Sequence, residues 1–144
     1  MATNTVYTFK QFQGTLDGQT IDGFWDGDDA VEIEPLDDQG MMLIGADGTS
    51  LFSQYASKGA RVTLRLQHTS PTNELLYEKE RAQRQNLAVN GFPLDLEEVN
   101  SGEGGNGDRF YIEKRPTKQY GKEASVRVWT LVTGDWEDRI PHNS

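Results

Sequence analysis

The sequence predicts a mainly β, single-domain antiparallel β-barrel or sandwich over residues 1–144, with one flanking α-helix at about residues 71–86. Three observations predict this class. The 144 residues include fifteen glycines and five prolines, which favour turns between short strands. Short runs alternate between apolar and polar side chains, and in one segment the apolar residues have the spacing of a helix. A chain of this length buries about 68–70% of its unfolded surface, so its core requires neither a disulfide nor a metal. Cysteine is absent.

The first three strands are predicted to follow one another through two turns. The strand Val6–Gln13 precedes an Asp-Gly pair at residues 17–18, which is typical of a two-residue hairpin. The chain returns over Gln19–Trp25 and, after an aspartate-rich turn, continues as the strand Ala30–Leu36. These elements predict three strands of an antiparallel β domain at the start of the chain.

Two more strands precede the helix. Met41–Ile44 is a short apolar strand that ends at Gly45, and it opens an unusually apolar segment that continues to Tyr55. Arg61–Gln67 shows the clearest alternation, because aliphatic residues occupy every second position. The second of these strands is therefore expected to bury one face and expose the other.

The helix and the next hairpin have recognisable starting signals. Ser70 is a good N-cap, and Pro71 suits the first helical position. The apolar stripe over residues 72–86 is narrow, so the helix is expected to lie outside the sheet and touch it along one edge. An Asn-Gly pair at residues 90–91 predicts a hairpin that leads into the strand starting at Phe92.

The last third of the chain contains a glycine-rich stretch and two strands. Residues 101–108 are expected to form a flexible loop from their composition. The strands Arg109–Arg115 and Ala124–Thr133 follow, and the second is apolar on both faces. A sheet that packs only on its own core has one wet face, so a neighbouring element of this chain or another subunit should cover the second face.

Charge and motifs exclude several function classes. Residues 1–50 hold ten acidic residues and one basic residue, so the whole net charge of −9 lies in the first third. This argues against an ordinary nucleic-acid binder, which needs clustered Lys and Arg. No phosphate-binding glycine loop, serine elbow or histidine-rich cluster occurs, and we predict no enzyme, no cofactor and no catalytic or metal site. The sequence shows no secretory signal and no long apolar run, so we expect no membrane insertion.

One ordered set of motifs resembles a known family. Gly-Ala-Asp-Gly at residues 45–48, Val-Thr-Leu-Arg-Leu at 62–66 and Thr-Ser-Pro-Thr-Asn at 69–73 read as a turn, a strand and a helix start. In this order they resemble the tail tube proteins of contractile-tailed bacteriophages, a family of phage structural proteins. The resemblance covers about a quarter of the chain at the level of motifs and most of it in element order.

The resemblance implies a structural protein of the virion, a viral tail protein assembled in the host cytoplasm. The resemblance implies that six copies form a homohexameric ring and that these rings stack. The stacked rings make a tail tube that is a conduit for DNA ejection into the host. The implied partners are other copies of the chain, the tail sheath protein outside, and the tape-measure protein and transiently DNA inside. Baseplate and tail terminator proteins are implied at the two tube ends.

If the chain forms such a tube, one group of residues is a candidate for lining the lumen and another for contacts between subunits. We expect the lumen to be net negative, with basic side chains locally compensating acidic ones. The candidate residues that line it are Glu32, Glu34, Arg61 and Arg65. The candidates for contacts between subunits are Met41, Met42, Leu43, Ile44, Leu51, Phe52, Tyr55, Trp129 and Leu131. The competing hypotheses are that the Met41–Tyr55 segment completes the monomer's own core, and that the aspartates of residues 26–29 carry the negative charge towards the sheath.

Two alternative functions remain open at this point. A tube protein of the type VI secretion apparatus would share the barrel and the hexamer. A monomeric β-sandwich binding module, such as a carbohydrate binder, would instead expose its aromatic residues on one face: Trp25, Tyr55, Trp129 and Trp136.

Overall fold

A computed structural model describes residues 12–25, 29–85, 91–99 and 101–140, and the fold is given for these residues. They form antiparallel strands and one helix, which confirms the predicted fold class. The elements in chain order are β1 Phe12–Leu16, β2 Gln19–Thr20, β3 Val31–Pro35, β4 Gly40–Ile44, β5 Ser50–Gln54, β6 Ala60–Gln67, α1 Pro71–Arg84, β7 Phe92–Glu98, β8 Gly104–Lys114, β9 Val126–Thr133 and β10 Glu137–Arg139.

Most strands belong to one sheet, which has the order β2-β1-β7-β8-β9-β6-β3, while β10 pairs with the first half of β8. The sheet is sandwich-like and is not a closed barrel, because β2 and β3 stay unpaired with each other. Apolar side chains of β1, β7 and β8 pack with those of β6 and β9 in a single core. Its largest fully buried members are Leu16, Val62, Leu64, Leu66, Leu76, Leu94, Leu96, Phe110, Trp129 and Leu131.

The segment after β2 links the two halves of the sandwich. The Ile21 amide donates to the Gly14 carbonyl in β1, at 2.9 Å. Two residues later, the Gly23 carbonyl accepts from the Gln67 amide of β6, at 2.8 Å, and Phe24 forms a bridge with Leu66. These bonds satisfy backbone groups at both edges that would otherwise be unpaired.

The predicted Asp-Gly hairpin is present between β1 and β2. Asp17 and Gly18 both have positive φ angles, 52° and 80°, as a type I′ turn requires. The rest of the predicted first strand, residues 6–11, lies outside the described residues, as do residues 86–90 of the predicted Asn-Gly hairpin.

The helix starts where the sequence predicts and attaches to the sheet through the buried Leu76 and through several polar groups. Ser70 caps it, and its hydroxyl accepts from the Thr72 amide at 3.2 Å. The Trp129 indole donates to Asn73 Oδ1 at 2.9 Å. The Gln83 amide group pairs with both the N–H and the C=O of Ile112, each at 2.9 Å, where the β8–β9 register shifts. The helix therefore supplies hydrogen-bond partners for the two backbone groups that the register shift leaves unpaired within the sheet.

The expectation of a flexible loop at residues 101–108 is wrong for Gly104–Asp108. These residues form the first half of β8, and residues 104–106 pair with both β7 and β10. A Cβ atom at Gly105 would lie 2.4 Å from the Trp136 ring, so this glycine allows close packing of a strand against an aromatic side chain.

Candidate functional site

The β4–β5 hairpin projects from one end of the sandwich. It leaves the main sheet after Pro35 and returns before Ala60, two residues that are partners in the β3–β6 register, and it forms a two-stranded sheet of its own. At its tip, the Asp47 carboxylate accepts from the Thr49 hydroxyl at 2.7 Å and from the Thr49 amide at 3.1 Å. These bonds lower the pKa of Asp47 and fix the turn in which Gly48 has a φ of +88°.

The hairpin exposes apolar side chains on both of its faces. Seven large ones are exposed, and Ile44 and Leu51 keep 74% and 65% of their surface accessible. None of the seven belongs to the core cluster, so the hypothesis that this segment completes the monomer's own core is wrong. The seven are Met41, Met42, Leu43, Ile44, Leu51, Phe52 and Tyr55.

The charged lumen candidates lie together on the outer face of β3 and β6. The strands are neighbours, and Glu34 is the register partner of Arg61. Arg61 Nη1 lies 3.0 Å from Glu34 Oε1, and Arg65 Nη1 lies 3.0 Å from Glu32 Oε1. The structure thus contains the cross-strand pairs that would compensate the carboxylates.

Sequence reasoning missed a third carboxylate of this face. Glu113 on β8 accepts from Arg61 Nε at 2.9 Å, although β9 lies between β6 and β8. The hydrogen bond to Glu113, followed by that to Glu34, raises the pKa of Arg61. Three carboxylates and two guanidinium groups leave this surface, the charged outer face, with a net charge of −1.

The two candidates on β9 do not face outward. Trp129 and Leu131 have no accessible surface and belong to the core of the chain, on the side where Asn73 of α1 contacts the indole. The expectation that they lie at a subunit boundary is therefore corrected: this face packs in the chain's own core, and the helix contacts Trp129 there. The opposite face of β9, with Val128 and Val132, is half-buried beside the arginines.

The aromatic residues do not form the exposed face that a carbohydrate-binding module would need. Trp129 is fully buried and Trp136 is 8% exposed, while Tyr55 belongs to the hairpin, where its amide donates to the Gln39 carbonyl. Among the described residues, no group of three or more acidic or histidine side chains could hold a metal ion. No helix within them has the length and apolar character that a bilayer-spanning helix needs.

Comparison with known proteins decides the family. Residues 6–140 match the family described as the bacteriophage PhiTE tail tube protein. This chain belongs to that family. It is also 30% identical over 113 residues to structural protein ORF10 of Pseudomonas phage KPP10, which covers 78% of this chain and 65% of that protein. The chain thus spans less than two thirds of the length of that relative.

Solved structures of contractile systems share the fold of this tail tube family member. The tube terminating cap of the anti-feeding prophage superposes with a TM-score of 0.68 at 17% identity, covering 96% of this chain and 94% of that one. The sheath/tube terminator of the PVC extracellular contractile injection system, in its extended state, gives 0.63 at 13%, covering 96% and 100%. Family membership makes the chain a structural component of the virion tail, and it is in keeping with the predicted non-enzymatic role.

Proposed function

We propose that copies of this chain form six-fold rings that stack into the tube of a contractile phage tail, through which DNA is ejected into the host. The observation that carries the proposal is the β4–β5 hairpin, whose seven large apolar side chains are exposed in the single chain. Soluble monomers rarely expose a large contiguous apolar patch, and such patches mark contacts with other proteins. In a tube, the neighbouring copies cover this hairpin.

The charged outer face is proposed to line the lumen. A ring of six copies, each with a net charge of −9, carries −54. Because Arg61 and Arg65 are each held by carboxylates at 2.9–3.0 Å, they present compensated ion pairs to passing phosphates, not free cations. A wall with a slight negative excess repels DNA at short range and lets it slide.

The other components of the tail define the remaining partners. A sheath protein surrounds the tube, the tape-measure protein and transiently DNA occupy the lumen, and baseplate and terminator proteins contact the two ends. Assembly takes place in the host cytoplasm. Membership in a phage family favours this setting over a tube of the type VI secretion apparatus.

A second candidate follows from the two terminator structures, which share the fold over 96% of this chain. A chain that terminates a tube in this way would be expected to form rings without polymerising. Negative-stain microscopy of the purified chain over a concentration series separates the possibilities. Hollow tubes of stacked six-fold rings are expected. Single rings at every concentration would favour the cap, and monomers throughout would contradict the assembly proposal.

A further inference from the structure

The two ends of the sandwich lie far apart. Ala60, the first residue of β6, pairs with Pro35 and Thr133 at the end where the hairpin leaves. Gln67, the last residue of β6, pairs with Val126 at the other end. Seven steps of about 3.3 Å along a strand place these ends about 23 Å apart. Surfaces at the two ends therefore cannot contact each other within one chain.

A groove lies at the base of the hairpin, between residues 33–39, residues 57–60 and the β10 region. It has a volume of about 680 Å³. Its apolar lining includes Ile33, Trp136 and Ile140, of which Ile140 is 83% exposed. Its charged lining consists of four carboxylates and one ammonium group, for a net charge of −3, from Asp37, Asp38, Lys58, Glu137 and Asp138.

The loop between β8 and β9 carries the opposite charge. The residues between the two strands, 115–125, contain three basic residues and one acidic residue, a net charge of +2 in a chain whose total is −9. Within it, the sequence Lys-Gln-Tyr-Gly-Lys at residues 118–122 places an aromatic residue between two lysines. Tyr120 is 82% exposed, and the Arg127 guanidinium lies 5.3 Å from its ring centroid. A large side chain is thus presented to solvent at the end opposite the groove.

Neither flanking lysine has a carboxylate partner within the described parts of the chain. Lys118 lies 5.1 Å from the centroid of the Tyr77 ring, and Lys122 is exposed. Both ammonium groups are therefore open to pairing with another molecule.

We propose that the residue 118–122 loop of one copy docks into the groove of the next copy along the tube. Tyr120 covers the apolar lining, and the two lysines face the carboxylates of the rim. Two acidic ends or two basic ends would repel each other, so the charge distribution favours head-to-tail stacking, the heterologous contact that extends without closing. This inference rests on the proposed tube function and names the two surfaces that join successive rings.

Reciprocal charge reversal tests the pairing. Lys118→Glu with Lys122→Glu should raise the concentration needed for tube assembly by at least about tenfold, because like charges then face each other. Asp38→Lys with Glu137→Lys should do the same from the groove side. Combining all four changes should restore assembly to near the wild-type concentration. Sedimentation velocity gives the concentration, and circular dichroism shows that each variant is folded.

Two further variants distinguish loss of the docking contact from a general effect of net charge. Arg81→Glu with Arg109→Glu makes the same change in net charge at exposed positions outside both surfaces, and it should assemble like wild type. Tyr120→Ala, at a side chain with few contacts of its own, should fold normally and weaken assembly. Wild-type assembly of the two-lysine and Tyr120 variants, or no rescue in the fourfold variant, would overturn the docking and leave the tube proposal standing. Failure of the wild-type chain to form tubes would overturn both.

Discussion

Substituting Ile44 by aspartate separates assembly from folding. Ile44 is 74% exposed on the hairpin, so the change should alter the free energy of unfolding of the single chain by no more than about 0.5 kcal/mol. In the proposed tube, a neighbouring copy would cover the same side chain. Burying a whole isoleucine contributes about 1.5–3 kcal/mol, so covering the exposed three quarters contributes roughly 1–2 kcal/mol per copy. The loss corresponds to about five- to thirty-fold in the association constant of each contact.

Leu131→Asp is the opposite case. Leu131 is fully buried, and truncating a core leucine to alanine alone costs about 2–5 kcal/mol of a total stability of about 5–15 kcal/mol. A carboxylate at this position would in addition lose its hydration, so the variant should not fold. Loss of tubes in that variant would therefore say nothing about an interface.

The assays are thermal unfolding followed by circular dichroism and sedimentation velocity over a concentration series. Val99→Asp is the matched control, because Val99 is 49% exposed and lies outside the hairpin. Ile44→Asp should unfold at the wild-type temperature and assemble only at a higher concentration, while Val99→Asp should match wild type in both. Tubes of Ile44→Asp at the wild-type concentration, or a normally folded Leu131→Asp, would refute the reasoning.

Three further changes have defined outcomes. Gln83→Ala leaves both backbone groups of the β8 irregularity unpaired and should lower the free energy of unfolding by about 1–3 kcal/mol in urea; an unchanged midpoint would contradict the role given to this amide. Phage carrying Glu32→Lys with Glu34→Lys should form tubes but eject DNA more slowly, and ejection at wild-type speed would show that these residues do not set the electrostatics of the lumen. Gly105→Ala should lower the melting temperature, whereas Gly121→Ala, whose Cβ would meet nothing within 4 Å, should leave it nearly unchanged.

Local patterns were enough to predict most elements that depend on neighbouring residues. The Asp-Gly turn, the Ser70 cap and the alternation of β6 each follow from backbone geometry or side-chain period, and the structure has all three. The alternation of Glu32 and Glu34 also indicated a shared face, and their pairing with arginines followed once β3 and β6 proved to be neighbours.

Features that depend on contacts between distant segments were not predictable in this way. The glycine-rich start of β8 has the composition of a loop, but it pairs with β7 and β10, and Trp136 packs closely against Gly105. Glu113 joins the charged outer face because Arg61 reaches across an intervening strand. The apolar pattern of β9 indicated that both faces are covered. It did not predict that Asn73 of the helix accepts a hydrogen bond from the Trp129 indole, because hydrophobic periodicity does not detect polar contacts.

Hydrogen exchange of the hairpin amides tests most directly the claim that the β4–β5 hairpin is the assembly surface. A two-stranded hairpin without further support is marginally stable in water, so the amides of residues 40–54 should exchange rapidly in the unassembled chain. In purified tubes the same amides should become protected, while those of the β6 core strand stay protected in both states. Equal exchange of residues 40–54 before and after assembly would contradict the claim.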